Sequence, residues 1–428
     1  MAVGRRGFLA GGSAALVAGC VTPTARRPHV ITGFGAREGL ANDSRPAIMA
    51  AIGAAHDSGG GRVEIPAGLW RCDGPINLKS NVELHVAEGA TVRFGTDPRF
   101  YLPVVFTRWE GTEAWNYSPL IYTRGERNVA ITGPGAFEGQ GREHFLPWRD
   151  NQGPDQTLIR KMGAEGVPVR DRVFGGGHWL RPHFVQFVEC QNVLIDGPTF
   201  RDSPFWVIHP VYCRGVVVRN ATVISKHVNS DGCDPDSSTD VLIERCHFDV
   251  NDDCIAIKSG RDQDAWRVGR PSSRITIRDC YMRTSIAAGL AIGSEMSGGV
   301  SDVRADRLTI ENAGHAINFK GNLDRGGVVE RVRVRDVTVG ETNELIQFTT
   351  AYKGWRGGNA PPTFRDFVVE NVSCRHANKA LSIVGVPAAP VQDVRLANIQ
   401  VAKADTPHEI AHVRNLTLDN VTVNGTRL

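Results

Sequence analysis

The densest acidic stretch of the chain is Asn229-Ser230-Asp231-Gly232-Cys233-Asp234-Pro235-Asp236, and Asp249-Val250-Asn251-Asp252-Asp253 follows closely. Asp231 and Asp252 are 21 residues apart. If the intervening chain closes one turn of a repeat, these carboxylates are brought one above another on a single patch. Like charges stacked in this way destabilise a fold unless they are used. A pair of carboxylates with a water between them is what inverting glycoside hydrolysis requires. One, with a raised pKa, protonates the leaving oxygen; the other activates water on the opposite face, at a wide separation of roughly 6.5 to 9.5 Å. A calcium site or a solvated acidic turn draws on the same residue types.

The elements that must hold this patch are legible as a repeat. A short alternating strand, an Asn or Asp, then a second strand recurs at Asn192-Val193-Leu194-Ile195-Asp196, Gly215-Val216-Val217-Val218-Arg219-Asn220 and Asp240-Val241-Leu242-Ile243-Glu244. It continues through Arg274, Val303, Val332, Phe367, Val394 and Leu416, with weaker copies at Asn81 and Asn128. The period of 23 to 25 residues lies in the range of solenoids, and two strands per period with no amphipathic helix between them predict a right-handed parallel β-helix. Each coil cannot bury its inward side alone, so the coils share one continuous Val/Ile/Leu interior. Asp43-Ser44-Arg45-Pro46 followed by Ile48, Ile52 and Ala55 predicts a short N-terminal capping helix that ends at Gly59-Gly60-Gly61.

Two stretches break the rhythm. Phe100 to Tyr122 is rich in Trp and Tyr, and 142 to 182 is rich in Arg, Gly and Trp. Long insertions on a solenoid can wall a groove; the aromatic residues suit either sugar stacking or packing against the coil. With 428 residues, 41% hydrophobic, and 49 Lys+Arg against 46 Asp+Glu, the chain can bury a large core and carries no field for non-specific nucleic-acid binding. Arg5-Arg6-Gly7-Phe8-Leu9 and the apolar run to Ala18 read as a twin-arginine export signal over 1–20. Val17-Ala18-Gly19-Cys20 reads as a lipoprotein box that would anchor the protein to a membrane through lipidated Cys20. The expected organisation is therefore that signal, a linker over 21–30, and one catalytic β-helix over 31–428, monomeric, in the periplasm or cell envelope. None of the eight remaining cysteines forms a CxxC pair, so they read as buried hydrophobes, with one or two disulfides permitted by an oxidising compartment.

Asn229-Ser230-Asp231 and Asp252-Asp253, together with Ser203-Pro204-Phe205-Trp206, Asp252-Asp253-Cys254-Ile255-Ala256-Ile257-Lys258-Ser259-Gly260 and Ile292-Gly293-Ser294-Glu295-Met296, resemble the polygalacturonase group, the family 28 glycoside hydrolases, in its bacterial exo-type branch. The resemblance implies a pectic poly- or oligosaccharide substrate, no cofactor and no metal. It implies that Asp252 is the general acid and that Asp231 and Asp253 hold and deprotonate water. Two departures stand out. Ile286-Ala287-Ala288-Gly289 replaces the family's Gly-His-Gly, and Asn318-Phe319-Lys320 replaces Arg-Ile-Lys. Lys320 is then expected to grip a galacturonate carboxylate without its arginine partner, which favours rhamnogalacturonan-type fragments over plain polygalacturonate. His315 is the candidate replacement for the lost histidine. Asn229, Lys258, Arg261 and Asn318 complete the expected substrate contacts, and Arg325 is a further source of positive charge.

Two other readings use the same residues. One is a pectate-lyase-like β-eliminating enzyme with Ca²⁺ on Asp231, Asp234, Asp236, Asp252 and Asp253. The other is a carbohydrate-binding β-helix that has lost its catalytic support; three mutually repelling aspartates at one coil spacing speak against it.

Overall fold

The computed structural model describes residues 27–354 and 356–428. The export signal, the lipoprotein box and Cys20 lie outside the described residues. The stretch expected as a linker falls partly inside: His29–Val30 is already a strand, paired in parallel with Val63 and Glu64, so pairing starts before residue 31.

The chain winds as a parallel β-helix with three stacks of strands. The first stack runs Val82–Val86, Arg127–Thr132, Gln191–Asp196, Arg214–Arg219, Thr239–Glu244 and Ser272–Arg278; the second runs Ala90–Phe94, Ala136–Glu138, Thr199–Arg201, Thr222–Ser225, His247–Val250 and Tyr281–Thr284. The third, Ile121–Arg124, Val185–Val188, Ile208–Val211, Ile255–Ile257 and Ala288–Ile292, is completed by bridges at Cys233 and Asp236. Towards the C-terminus the corners flatten, and Val300–Lys320, Val328–Thr349, Thr363–Val384 and Val391–Ala411 each sweep through all three stacks as one strand.

The recurring Asn/Asp has a backbone cause. Between the first and second stacks, Asn220, Asp279, Asp336, Asn371, Asn398 and Asn420 all have φ between 52° and 57°, a left-handed conformation that Asn and Asp tolerate best among residues with a side chain. Several then hydrogen-bond from coil to coil: Asn420 Nδ2 donates to Asn398 Oδ1 at 2.9 Å, and Asn398 Nδ2 to Asn371 Oδ1 at 3.2 Å. Inside, the alternate residues stack as Val/Ile/Leu columns that are almost fully buried.

Helix α1 (Arg45–Asp57) lays Ile48, Ala51, Ile52 and Ala55 against the first coil. Its first N–H, that of Arg45, donates to Asp43 Oδ1 at 2.9 Å, and the Ser44 side chain caps none. All eight described cysteines are free, buried thiols. The first insertion forms an antiparallel pair, Val105–Trp109 with Thr112–Asn116, and the second contains α2 (Arg149–Ala164). Some of the aromatic residues pack: Trp109 and Tyr101 are fully buried, and Trp109 stacks on Phe205 with ring centroids 5.0 Å apart, whereas Trp179 and Phe100 are each 37% exposed.

Candidate active site

Asp231 and Asp253 sit at the corner where the second stack turns into the third, just before Cys233 and Ile255, which bridge each other. Gly232 N donates to Asp253 O at 2.9 Å, so the residue stacked on Asp231 is Asp253 and not Asp252. Asp252 points its carboxyl elsewhere, accepting the N–H of Asn229 on Oδ2 and its own neighbour's N–H, that of Asp253, on Oδ1, both at 3.0 Å. Carboxylate oxygens of all three lie within 4.8 Å of one another. This corrects the expected wide separation: one carboxylate oxygen from each of the three lies closer to the others than the roughly 6.5 to 9.5 Å expected between acid and base.

The three carboxyls are pushed apart electrostatically. Burial, with Asp252 and Asp234 close by, drives Asp231 well above the ordinary carboxylate range, and burial plus the Asp253 charge raises Asp252. Burial would raise Asp253 as well, but Lys320 and Lys258 outweigh it and hold this carboxyl below its ordinary value. The geometry shows why: Lys320 Nζ donates to Asp253 Oδ2 at 2.8 Å and Ala288 N to Oδ1 at 2.8 Å. Two carboxyls of raised pKa beside one of lowered pKa match the division of labour that acid–base hydrolysis needs.

The expected substrate contacts are redistributed. Lys320 is committed to Asp253. Lys258 is 3% exposed and stands behind the site, 3.6 Å from Asp231 and Asp234, 3.4 Å from Glu295, and 4.2 Å above the Trp206 ring. Arg261 pairs with Glu295 at 2.5 Å and donates to the carbonyl of Glu110 at 2.9 Å, while Arg325 pairs with Asp262. Asn318 is buried within its strand, its Oδ1 without a hydrogen-bond partner among the described residues. Asn229, at φ 58°, contributes its backbone N–H to Asp252. His315 lies one coil beyond Ala288, in register with it, and faces Glu344 at 3.6 Å. Of the five aspartates proposed for Ca²⁺, Asp231, Asp252 and Asp253 converge with ligand atoms within 4.8 Å of one another, as a cation site would need, while Asp236 turns away to Arg108 and His209.

Three functional side chains escaped the sequence reading. Arg181 is fully buried and ties α2 to the site, donating to Gln152 Oε1 at 2.9 Å and to Asn229 Oδ1 at 2.7 Å. Glu295 collects Lys258, Arg261 and Arg325; burial alone would raise its pKa, but these cations hold it far below the ordinary range. Arg108 is fully buried and reaches Asp236 at 3.0 Å and Ser237 Oγ at 2.7 Å. Only the motif segment around Glu295 signalled any of these.

The Arg108–Asp236 pair is fully buried, and removing one partner strands a buried charge. Arg108→Met is expected to lower stability by about 3 to 5 kcal/mol, read as a fall in the denaturant midpoint. Gly260→Ala should act in the same direction, since a Cβ there would lie 1.7 Å from Arg108 Nη2 at a backbone φ of 77°. Unchanged midpoints in both variants would show that the pair carries no stability.

The family model described as glycosyl hydrolases family 28 matches residues 175–423. A crystal structure of a hyperthermoactive exopolygalacturonase from Thermotoga maritima superposes with a TM-score of 0.90 at 38% identity, covering 94% of this chain and 93% of that one. A protein named Probable polygalacturonase from Vitis vinifera is 29% identical over 361 residues, 80% of this chain and 67% of its own length. An exo-poly-alpha-D-galacturonosidase of Dickeya chrysanthemi is 23% identical over 446 residues, 95% of this chain and 73% of its own. A family match over most of the coil, and a fold shared almost end to end, leave one conclusion: the chain is a glycoside hydrolase and belongs to glycosyl hydrolases family 28.

Proposed function

We propose that the protein hydrolyses α-linked polygalacturonan from one chain end, with inversion, after export by the twin-arginine route and anchoring through lipidated Cys20. The observation that carries the reading is the pairing of an ionised carboxylate, Asp253 under Lys320, with a raised carboxyl, Asp252, within 4.8 Å. Asp252 protonates the glycosidic oxygen. Asp253, with Asp231 beneath it, takes the proton of the attacking water. Both Asp253 oxygens already accept hydrogen bonds. A carboxylate so held suits water orientation better than bond formation, because a nucleophile would have to surrender a charge-assisted contact to reach the anomeric carbon. Exo action is supported by α2, which Arg181 fastens to the Asn229 corner on the N-terminal side of the aspartates. Plain polygalacturonan is the substrate proposed, as the names of the T. maritima and D. chrysanthemi relatives suggest.

Homogalacturonan incubated with the enzyme should release monogalacturonate without a ladder of mid-length products. Proton NMR of the first-formed product should show the anomer opposite to the substrate's. A ladder would refute the closed end, a retained anomer would refute inversion, and turnover confined to rhamnogalacturonan fragments would refute the substrate.

A further inference from the structure

Register carries the catalytic corner onward along the coil. Asp253 stands in line with Ala288, His315, Glu344 and Lys379 on successive turns of the third stack. A cavity of about 470 Å³ opens over this line, walled by Ile286, His315, Glu344, Tyr352, Lys353 and Lys379. It joins the catalytic cluster through Tyr352, whose ring centroid is 5.7 Å from Lys320 Nζ. Its charges are mostly answered from within: Glu344 faces His315 at 3.6 Å and Lys379 at 3.9 Å, and Lys379 also bonds Glu409. Lys353 is the exception. It is exposed, its ammonium lies 5.9 Å from the Tyr352 ring, and among the described residues it has no carboxylate partner. Beside it Ile286 is 61% exposed, an apolar surface of the kind that receives the C–H face of a sugar.

We propose that this cavity is a subsite for a second uronate on the leaving-group side of the scissile bond, with Lys353 as the contact for its carboxylate. The proposal rests on the reading of the enzyme as an exo-acting uronan hydrolase. If α2 closes the N-terminal side, the body of the polymer must leave over the C-terminal coils, across this cavity. His315 is two coils from Asp253, about 10 Å at the spacing of β-strands, so the first leaving sugar stops short of the cavity and the second enters it. A lysine with no acidic partner is already free to meet a carboxylate, whereas Lys379 would first have to give up Glu409.

The test compares digalacturonate, which ends before the cavity, with trigalacturonate, which enters it. Lys353→Met should lower kcat/KM on trigalacturonate roughly tenfold, through KM, and leave digalacturonate unchanged; Lys353→Arg should restore most of the loss. An equal fall on both substrates, or no fall on trigalacturonate, overturns the subsite. A wild-type enzyme that releases galacturonate from neither overturns the functional reading and the subsite with it. An active wild type with an indifferent Lys353→Met variant removes the subsite alone.

Discussion

Asp252→Asn is expected to cut kcat by roughly a hundredfold to ten-thousandfold, the range of a lost general acid, while the folded state holds or gains stability. The amide has no proton acidic enough to give to a departing sugar oxygen, yet its Oδ1 can still accept one of the two N–H groups, from Asn229 and Asp253, that now bind the carboxyl. Burial and the Asp253 charge raise the Asp252 pKa, so folding of the ionised form works against this carboxyl and its removal relieves repulsion. The sign of the pH dependence follows. A carboxyl whose folded pKa is raised gives stability as pH falls below that pKa, and costs stability above it. The Asn variant should therefore match wild type at acid pH and exceed it near neutrality. A substrate whose leaving group departs without protonation, such as an activated aryl glycoside, should recover most of the lost rate in Asp252→Asn and none in Asp253→Asn. Wild-type turnover of the natural substrate by Asp252→Asn would remove Asp252 from the acid role, and a rescue shared by both variants would deny the division of labour.

The coil, its interior and the clustering of the three aspartates were legible in the sequence because each has a periodic or local cause. Alternation buries Val, Ile and Leu, and the left-handed corners select Asn and Asp at Asn220, Asn371 and Asn420. The register was misread by one residue: the 21-residue spacing pairs Asp231 with Asp252, but the corner turns one residue later and stacks Asp231 on Asp253. A repeat period alone cannot see this, since the corner lies between strands and has no alternation to fix it. Arg181 and Arg108 were invisible for a related reason. They come from insertions without a period, and nothing in the chain announces that Arg108 will meet Asp236, 128 residues away. Lys258 and Lys320 were visible, Lys320 through the family resemblance and Lys258 through its motif segment, but their partners were not: the coil places both beside buried carboxylates that need a counter-charge.

The contact between Lys320 and Asp253 leads to the second large effect. Lys320→Met should lower kcat roughly tenfold to a hundredfold, as expected of a lost charge-assisted hydrogen bond to the base, and should do so equally on acidic and methyl-esterified substrates. A lysine that gripped a sugar carboxylate would instead lose activity on the acidic substrate alone and chiefly through KM. The pH profile separates the two roles again. Asp253 is held below its ordinary pKa against the effect of burial, chiefly by Lys320, so its ionised form is available over the whole range above that lowered value. Without the ammonium at 2.8 Å, burial and the neighbouring Asp231 and Asp252 are left opposed only by Lys258 and the Ala288 N–H. The pKa must then rise, and the acid limb of kcat/KM should move to higher pH. Stability should follow the same sign: a carboxylate with a depressed folded pKa stabilises the protein above its unfolded pKa, and that contribution is lost as pH falls through the folded value, so the variant should lose its advantage near neutral pH. Lys320→Arg should return part of the rate and bring the acid limb back. An acid limb that stays in place in Lys320→Met, with loss confined to acidic substrates, would return Lys320 to the substrate and leave Asp253 to be ionised by Lys258 alone.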